Sequence, residues 1–146
     1  MTSKEGDELK SVMSKPVISM DSDGNVAAAA QTMVQHNIGS VVVVEGKKPV
    51  GIITERDITK LVIKGEEVLK GPVKNVMTKS LVTAPPSMPI QQAFELMLMN
   101  KIRRLPIVEN DKIVGIVTEK DLMRWVLRVS YEPNIPKNIK MVLDAQ

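Results

Sequence analysis

The 146-residue chain has no cysteine, a single histidine (His36), and one each of phenylalanine, tyrosine and tryptophan. Without thiols there are no disulfides, no thiolate nucleophile and no cysteine-ligated zinc, and one histidine excludes a histidine-rich metal site. The same lack suits a reducing, cytoplasmic setting. Three aromatic residues cannot build the stacking platform on which single-stranded nucleic acid is held. Long hydrophobic runs are missing too. Apolar stretches such as Val41 to Val44 are far too short to span a bilayer, and the polar opening from Met1 to Lys10 lacks the pattern of an export signal.

What is present is ordinary for a folded domain: 43% hydrophobic and 25% charged residues. With ten methionines and almost no aromatics, the core must be filled by Val, Ile, Leu, Met and Ala. The length supports one well-buried core rather than two independent ones. A net charge of +3 and a pI near 9.2 favour nucleotides, acidic partners or weak nucleic-acid contact without choosing among them.

The organising feature is a duplication. Residues 12–58 align with residues 76–122 at a constant offset of 64, without a gap. Val12-Met13 returns as Val76-Met77, Ala29 and Met33 as Ala93 and Met97, and Val50-Gly51-Ile52 as Val114-Gly115-Ile116. Each unit begins with a short apolar segment (16–19 or 80–83) that reads as a strand, followed by turn formers. Next comes an amphipathic helical stripe: Val26, Ala29, Ala30, Met33 and Val34, mirrored by Ile90, Ala93, Phe94, Met97 and Leu98. A β-branched run, a polar turn and a second run predict a hairpin, and a second helix is expected near 55–64 and 119–128. The expected fold is α/β (mixed α+β): two β-α-β-β-α units, too small to seal a core singly, packed about a pseudo-twofold axis. The expected boundaries are 12–64 for the first repeat, 65–75 for a Gly- and Pro-containing linker, 76–129 for the second repeat and 130–146 for a C-terminal extension. That extension carries Pro133 and Pro136 and is a latch or a partner-binding segment.

The element that carries chemistry is Gly51-Ile-Ile-Thr-Glu-Arg-Asp57, repeated as Gly115-Ile-Val-Thr-Glu-Lys-Asp121. Thr54 and Thr118 fall at the end of a strand, with Asp57 and Asp121 three residues on, at a helix N-terminus. Thr at the N-cap with an acid at the third helical position is close to a capping box, contributing about 0.5–2 kcal/mol. The same helix end favours phosphate, and the carboxylate offers acceptors to neighbouring hydroxyls, so a ribose phosphate satisfies both. Capping and binding coexist in this geometry. By contrast, His36 at a helix end reads as a dipole partner, and Trp125 as a core or dimer-packing residue.

The repeated Gly-hydrophobic-x-Thr-x-x-Asp motif after a hairpin resembles the cystathionine β-synthase (CBS) domain, and the tandem pair resembles a Bateman module over about residues 12–128. The resemblance implies a regulatory, non-enzymatic module that binds adenosine-containing ligands (AMP, ADP, ATP, S-adenosylmethionine or NAD) in clefts between repeats. It implies no catalytic cofactor, an adenine nucleotide as regulatory ligand, a homodimer formed through exposed helix faces, and an unidentified regulated protein. Residue by residue, Asp57 and Asp121 resemble the family's ribose-binding carboxylates, and Thr54 and Thr118 its ribose or phosphate hydroxyls. The adenine slot is expected from the opposite repeat: Met77, Val82 and Ile102 for the Asp57 site, and Met13, Ile18, Ile38, Gly39 and Ser40 for the Asp121 site.

The two sites are expected to differ. Ile102-Arg-Arg-Leu-Pro106 looks like the family's basic segment, where the first repeat has Ile38-Gly-Ser-Val-Val42. Arg103, Arg104 and Lys120 are therefore expected to converge on phosphates of a nucleotide held by Asp57, giving that cleft the stronger preference for phosphorylated ligands. A solvated surface pair is the alternative for the arginines, and Arg104 is also a candidate for the Asp121 site. A nucleotide-processing enzyme is disfavoured by the lack of a nucleophile-base pair or metal cluster. The remaining alternative is a nucleic-acid-binding or scaffold protein that uses the basic surface without a nucleotide ligand.

Overall fold

The computed structural model describes residues 6–131, 134 and 136–144. Along the chain run β1 (Ser19–Asp21), α1 (Val26–His36), β2 (Ser40–Glu45), β3 (Lys48–Thr54), α2 (Glu55–Val62) and α3 (Glu67–Lys70). They are followed by α4 (Ile90–Asn100), β4 (Arg104–Glu109), β5 (Lys112–Thr118), α5 (Glu119–Tyr131) and α6 (Lys137–Asp144). This mixed α+β order repeats the strand and helix pattern of the duplicated sequence. The helical stripe is narrower than expected: Val26, Ala29 and Met33 of α1 and Ile90, Ala93 and Met97 of α4 are buried, whereas Val34 and Leu98 at its end are exposed. Asn25 caps α1 by accepting from the Ala28 N–H at 2.7 Å. Both helices end on a left-handed residue, Asn37 at φ 51° and Lys101 at φ 54°, which turns the chain sharply into the following strand.

The hairpins β2-β3 and β4-β5 carry register shifts at equivalent places, Val43/Val44 and Ile107/Val108. The first strands depart from expectation. In repeat one the strand is Ser19–Asp21, later than 16–19, and pairs in parallel with β2. In repeat two, 80–83 form no strand, and the pairing shrinks to one bridge, Ala84 with Ile107. Its repeat-one counterpart is the Met20 and Val43 pair. The reason lies in Pro85 and Pro86, which have no N–H to extend the ladder.

The stretch between the repeats is not a free tether. Residue Val73 is fully buried with Val26, Ile53 and Leu61 in the core of repeat one, and its N–H donates to Gly24 O at 2.7 Å. Lys74 Nζ lies 2.8 Å from Asp23 Oδ1, and this hydrogen bond raises the Lys74 pKa above the ordinary lysine value. Its counterpart at the start of the chain goes the other way. Leu9 is fully buried in the core of repeat two, beside Ile90, Leu105 and Leu122, and its N–H donates to Met88 O at 2.9 Å. Each repeat thus lends its leading segment to the other. The bridges Ser14 with Ile116 and Thr78 with Ile52 repeat this exchange at the 64-residue offset, as a pseudo-twofold relation requires.

Candidate functional site

Because the leading segments cross over, the C-terminal ends of β3 and β5 and the starts of α2 and α5 meet material from the opposite repeat. Two clefts result. The first, of about 320 Å³, is lined on the repeat-one side by Ile52, Thr54, Arg56 and Asp57, and on the other by Thr78, Lys101, Ile102, Arg103 and Arg104. The second, of about 420 Å³, has Thr118, Glu119 and Lys120 on one side and Ile18, Ile38, Gly39 and Ser40 on the other, with Arg103 and Arg104 at its edge. Both volumes fall in or near the range of small-molecule sites, about 300–1,000 Å³.

At the first cleft, Thr54 and Asp57 form a reciprocal cap. Thr54 N–H donates to Asp57 Oδ2 at 2.9 Å, and Asp57 N–H donates to Thr54 Oγ1 at 3.2 Å. Asp57 Oδ1 has no hydrogen bond or ion pair among the described residues, which leaves one oxygen of a cleft-lining carboxylate unspent. The Glu55 N–H donates to Gly39 O at 3.0 Å. Two of the first three N–H groups of α2 are therefore satisfied inside the protein, and attraction for an anion falls mainly to the cations opposite.

The second copy of the motif closes on itself. Asp121 Oδ2 accepts both from Thr118 N–H at 2.8 Å and from Thr118 Oγ1 at 3.1 Å. Its Oδ1 is 3.7 Å from Arg124 Nη1, and the residue is only 8% exposed. Arg124 stands where repeat one has Lys60, which is exposed. Asp121 borders a separate hollow of about 490 Å³, with Met13, Arg124, Trp125 and Leu143, rather than the cleft that holds Thr118.

The structure gathers Thr54, Asp57, Ile102, Arg103 and Arg104 in the first cleft, and Thr118, Lys120, Ile18, Ile38, Gly39 and Ser40 in the second. Some residues assigned from sequence stand elsewhere. Lys120 lines the second cleft, not the Asp57 cleft, and borders a neighbouring hollow with Glu55, Ile58 and Thr59 of α2. Met77 lines neither cleft, while Met13 lines the hollow that Asp121 borders; each packs against the glycine of the opposite repeat's motif, so that a Cβ on Gly51 would strike Met77 and one on Gly115 would meet Met13 Sδ at 2.5 Å. That close approach is why both motifs carry glycine. Val82 packs against the core of repeat two. Sequence reading missed Thr78 and Lys101 in the first cleft and Ser14 and Asn37 in the second. The repeat offset was the available signal, since Ser14 pairs with Thr78 and Asn37 with Lys101.

Comparison with known proteins agrees with this geometry. The CBS domain model matches residues 9–64 and 73–128, the two segments that begin with the crossing turns. The CBS domain-containing protein YhcV of Bacillus subtilis is 37% identical over 114 residues, 78% of this chain and 81% of that one. Protein MK0525 of Methanopyrus kandleri is 42% identical over 98 residues, 65% of this chain; the chain spans 50% of that relative's length. Among solved structures, the CBS domain pair of protein MJ0100, in complex with 5'-methylthioadenosine and S-adenosyl-L-methionine, matches with a TM-score of 0.75. It is 30% identical and the match covers 82% of this chain and 94% of that one. The duplicated motif, the exchanged leading segments and these matches together establish that the chain belongs to the CBS domain family, as a tandem CBS pair.

Proposed function

We propose that this CBS pair is a non-enzymatic regulatory module that binds an adenosine-containing ligand between its repeats and passes the binding event to a partner protein. The observation that carries this reading is the first cleft. An unspent carboxylate oxygen of Asp57 stands at a helix N-terminus, across from Lys101, Arg103 and Arg104 of the other repeat. A carboxylate that accepts from ribose hydroxyls and cations that pair with phosphate are the two recognition elements a nucleotide needs. Apolar Ile52 and Ile102 provide a wall for the base. The liganded MJ0100 pair supports the adenosine class; AMP, ADP, ATP, S-adenosylmethionine and NAD all belong to it.

The proposal extends to a homodimer. Exposed apolar residues recur at equivalent repeat positions: Val34 and Leu98 are 82% and 76% exposed, and Val62 and Val126 are also exposed. A face that is itself twofold-related suits an isologous contact with a second copy. Light scattering at micromolar concentration is expected to give twice the chain mass, and a monomer at all concentrations refutes this part.

The ligand reading is tested by calorimetry against AMP, ATP, S-adenosylmethionine and NAD, with wild type, Asp57→Ala and Asp121→Ala. Loss of one acceptor that meets a charged or polar partner predicts a 10- to 100-fold weaker Kd for Asp57→Ala, corresponding to about 1.5–3 kcal/mol. Equal binding by all three proteins removes the site. Strongly salt-dependent RNA or DNA binding that survives Asp57→Ala and Arg103→Ala would instead favour a nucleic-acid-binding protein.

A further inference from the structure

The two clefts share part of their walls. Gly39, Arg103 and Arg104 line both. In the repeat alignment Gly39 corresponds to Arg103 and Ser40 to Arg104. Repeat two therefore supplies two guanidinium groups at a place where repeat one supplies none, and this single pair stands between two clefts.

The two arginines are not equivalent. The Arg103 side chain is 74% exposed, with Nε 4.0 Å from a Glu119 carboxylate oxygen, so it lies at the open rim of both clefts, beside a carboxylate of the second. Arg104 begins β4 opposite Thr118 in the ladder, yet its half-buried side chain crosses to repeat one. Its guanidinium lies over Gly39, where an added Cβ would collide with Nη2. Gly39 is not among the glycines with positive φ, so its missing side chain provides room for Arg104 rather than backbone freedom. Arg104 thus has its backbone beside Thr118 and its guanidinium at Gly39, near the Glu55 carboxylate and at the wall that both clefts share.

Resting on the nucleotide-binding reading above, we propose that Arg104 couples the clefts: its guanidinium serves the phosphate of a ligand in either cleft but not in both, so phosphorylated ligands bind anticooperatively. A planar guanidinium presents its fork to one anion at a time. A second phosphate then meets a cation already neutralised and a like charge nearby. Ligands without phosphate do not draw on Arg104, so the coupling is confined to the phosphorylated class.

The test is calorimetry of the full chain with AMP and with adenosine, on wild type, Arg104→Gln, Gly39→Ala and Asp57→Ala. The wild type should show a gap of roughly tenfold or more between its first and second AMP steps beyond any gap seen with adenosine, the size expected of one charge-assisted contact. Arg104→Gln should shrink the AMP gap to the adenosine gap. Gly39→Ala, which displaces the guanidinium while keeping its charge, should shrink it in the same direction. Asp57→Ala disables the first cleft and should leave the second binding AMP about tenfold more tightly than the second wild-type step, because Arg104 is released to it. An AMP gap that survives Arg104→Gln shows simple inequality or phosphate repulsion and overturns the coupling, as does an Asp57→Ala protein that binds AMP no more tightly than the second wild-type step. In either case the ligand reading stands. Absence of binding by both AMP and adenosine in every protein removes that reading and the coupling with it.

Discussion

The two copies of the Thr-x-x-Asp motif have the same local geometry and different fates. In both, the Asp carboxylate accepts from the Thr N–H three residues earlier, at 2.9 Å in one and 2.8 Å in the other. Asp57 keeps its second oxygen for the cleft. Asp121 spends both, one on Thr118 and one on Arg124, and sinks to 8% exposure. Identical local signals therefore yield one group available for binding and one committed to structure. The substitution that accompanies this difference is outside the motif: Arg124, paired with Asp121, in place of Lys60.

The comparison can first be pressed through the crossing segments, which hold both copies in place. Leu9→Ala removes a fully buried side chain from the core of repeat two and should cost about 2–5 kcal/mol in denaturant melts. Val73→Ala, the equivalent position in the core of repeat one, should cost roughly two-thirds as much, since fewer carbons are lost. If either variant melts like the wild type, the exchange of segments is not part of what holds the repeats together.

A smaller effect separates the two aspartates directly. Asp57→Ala should lose only its cap, about 1 kcal/mol. Asp121→Ala also removes the 3.7 Å ion pair with Arg124, for a total of about 1.5–2 kcal/mol. The order of stability loss is thus the reverse of the order expected for ligand affinity. Equal unfolding midpoints for the two variants would erase the distinction.

The smallest effect comes from making the copies alike. Arg124→Lys recreates the residue of repeat one and should cost about 0.5–1 kcal/mol, the scale of a partly exposed ion pair. In that background the stability losses of Asp57→Ala and Asp121→Ala should converge, measured in a double-mutant cycle. A difference that persists unchanged assigns the burial of Asp121 to something other than Arg124.

Much of the fold was legible before any coordinates. The buried stripes Val26, Ala29, Met33 and Ile90, Ala93, Met97 are encoded in helical periodicity, and the hairpins in β-branched runs around polar turns. These are local signals, and local signals survive translation into structure. The crossing of Leu9 and Val73 was not legible, because one apolar residue within a polar stretch says nothing about which core receives it. Nor was the loss of a full strand at Ala84, where two prolines overrode the repeat.

The candidate site divides along the same line. That Thr54, Asp57, Thr118 and Asp121 cap helices followed from spacing alone, since a cap involves residues three apart. Placing Arg103 and Arg104 near Asp57 followed from the family resemblance. The sequence by itself determined the duplication, the caps and the unequal share of cations between the repeats. Only the tertiary structure decided that Lys120 faces the second cleft, that Met13 and Met77 lie under glycines, and that Arg104 crosses to Gly39. Each of those outcomes depends on how chain segments far apart in sequence approach one another, and no local propensity carries that distance.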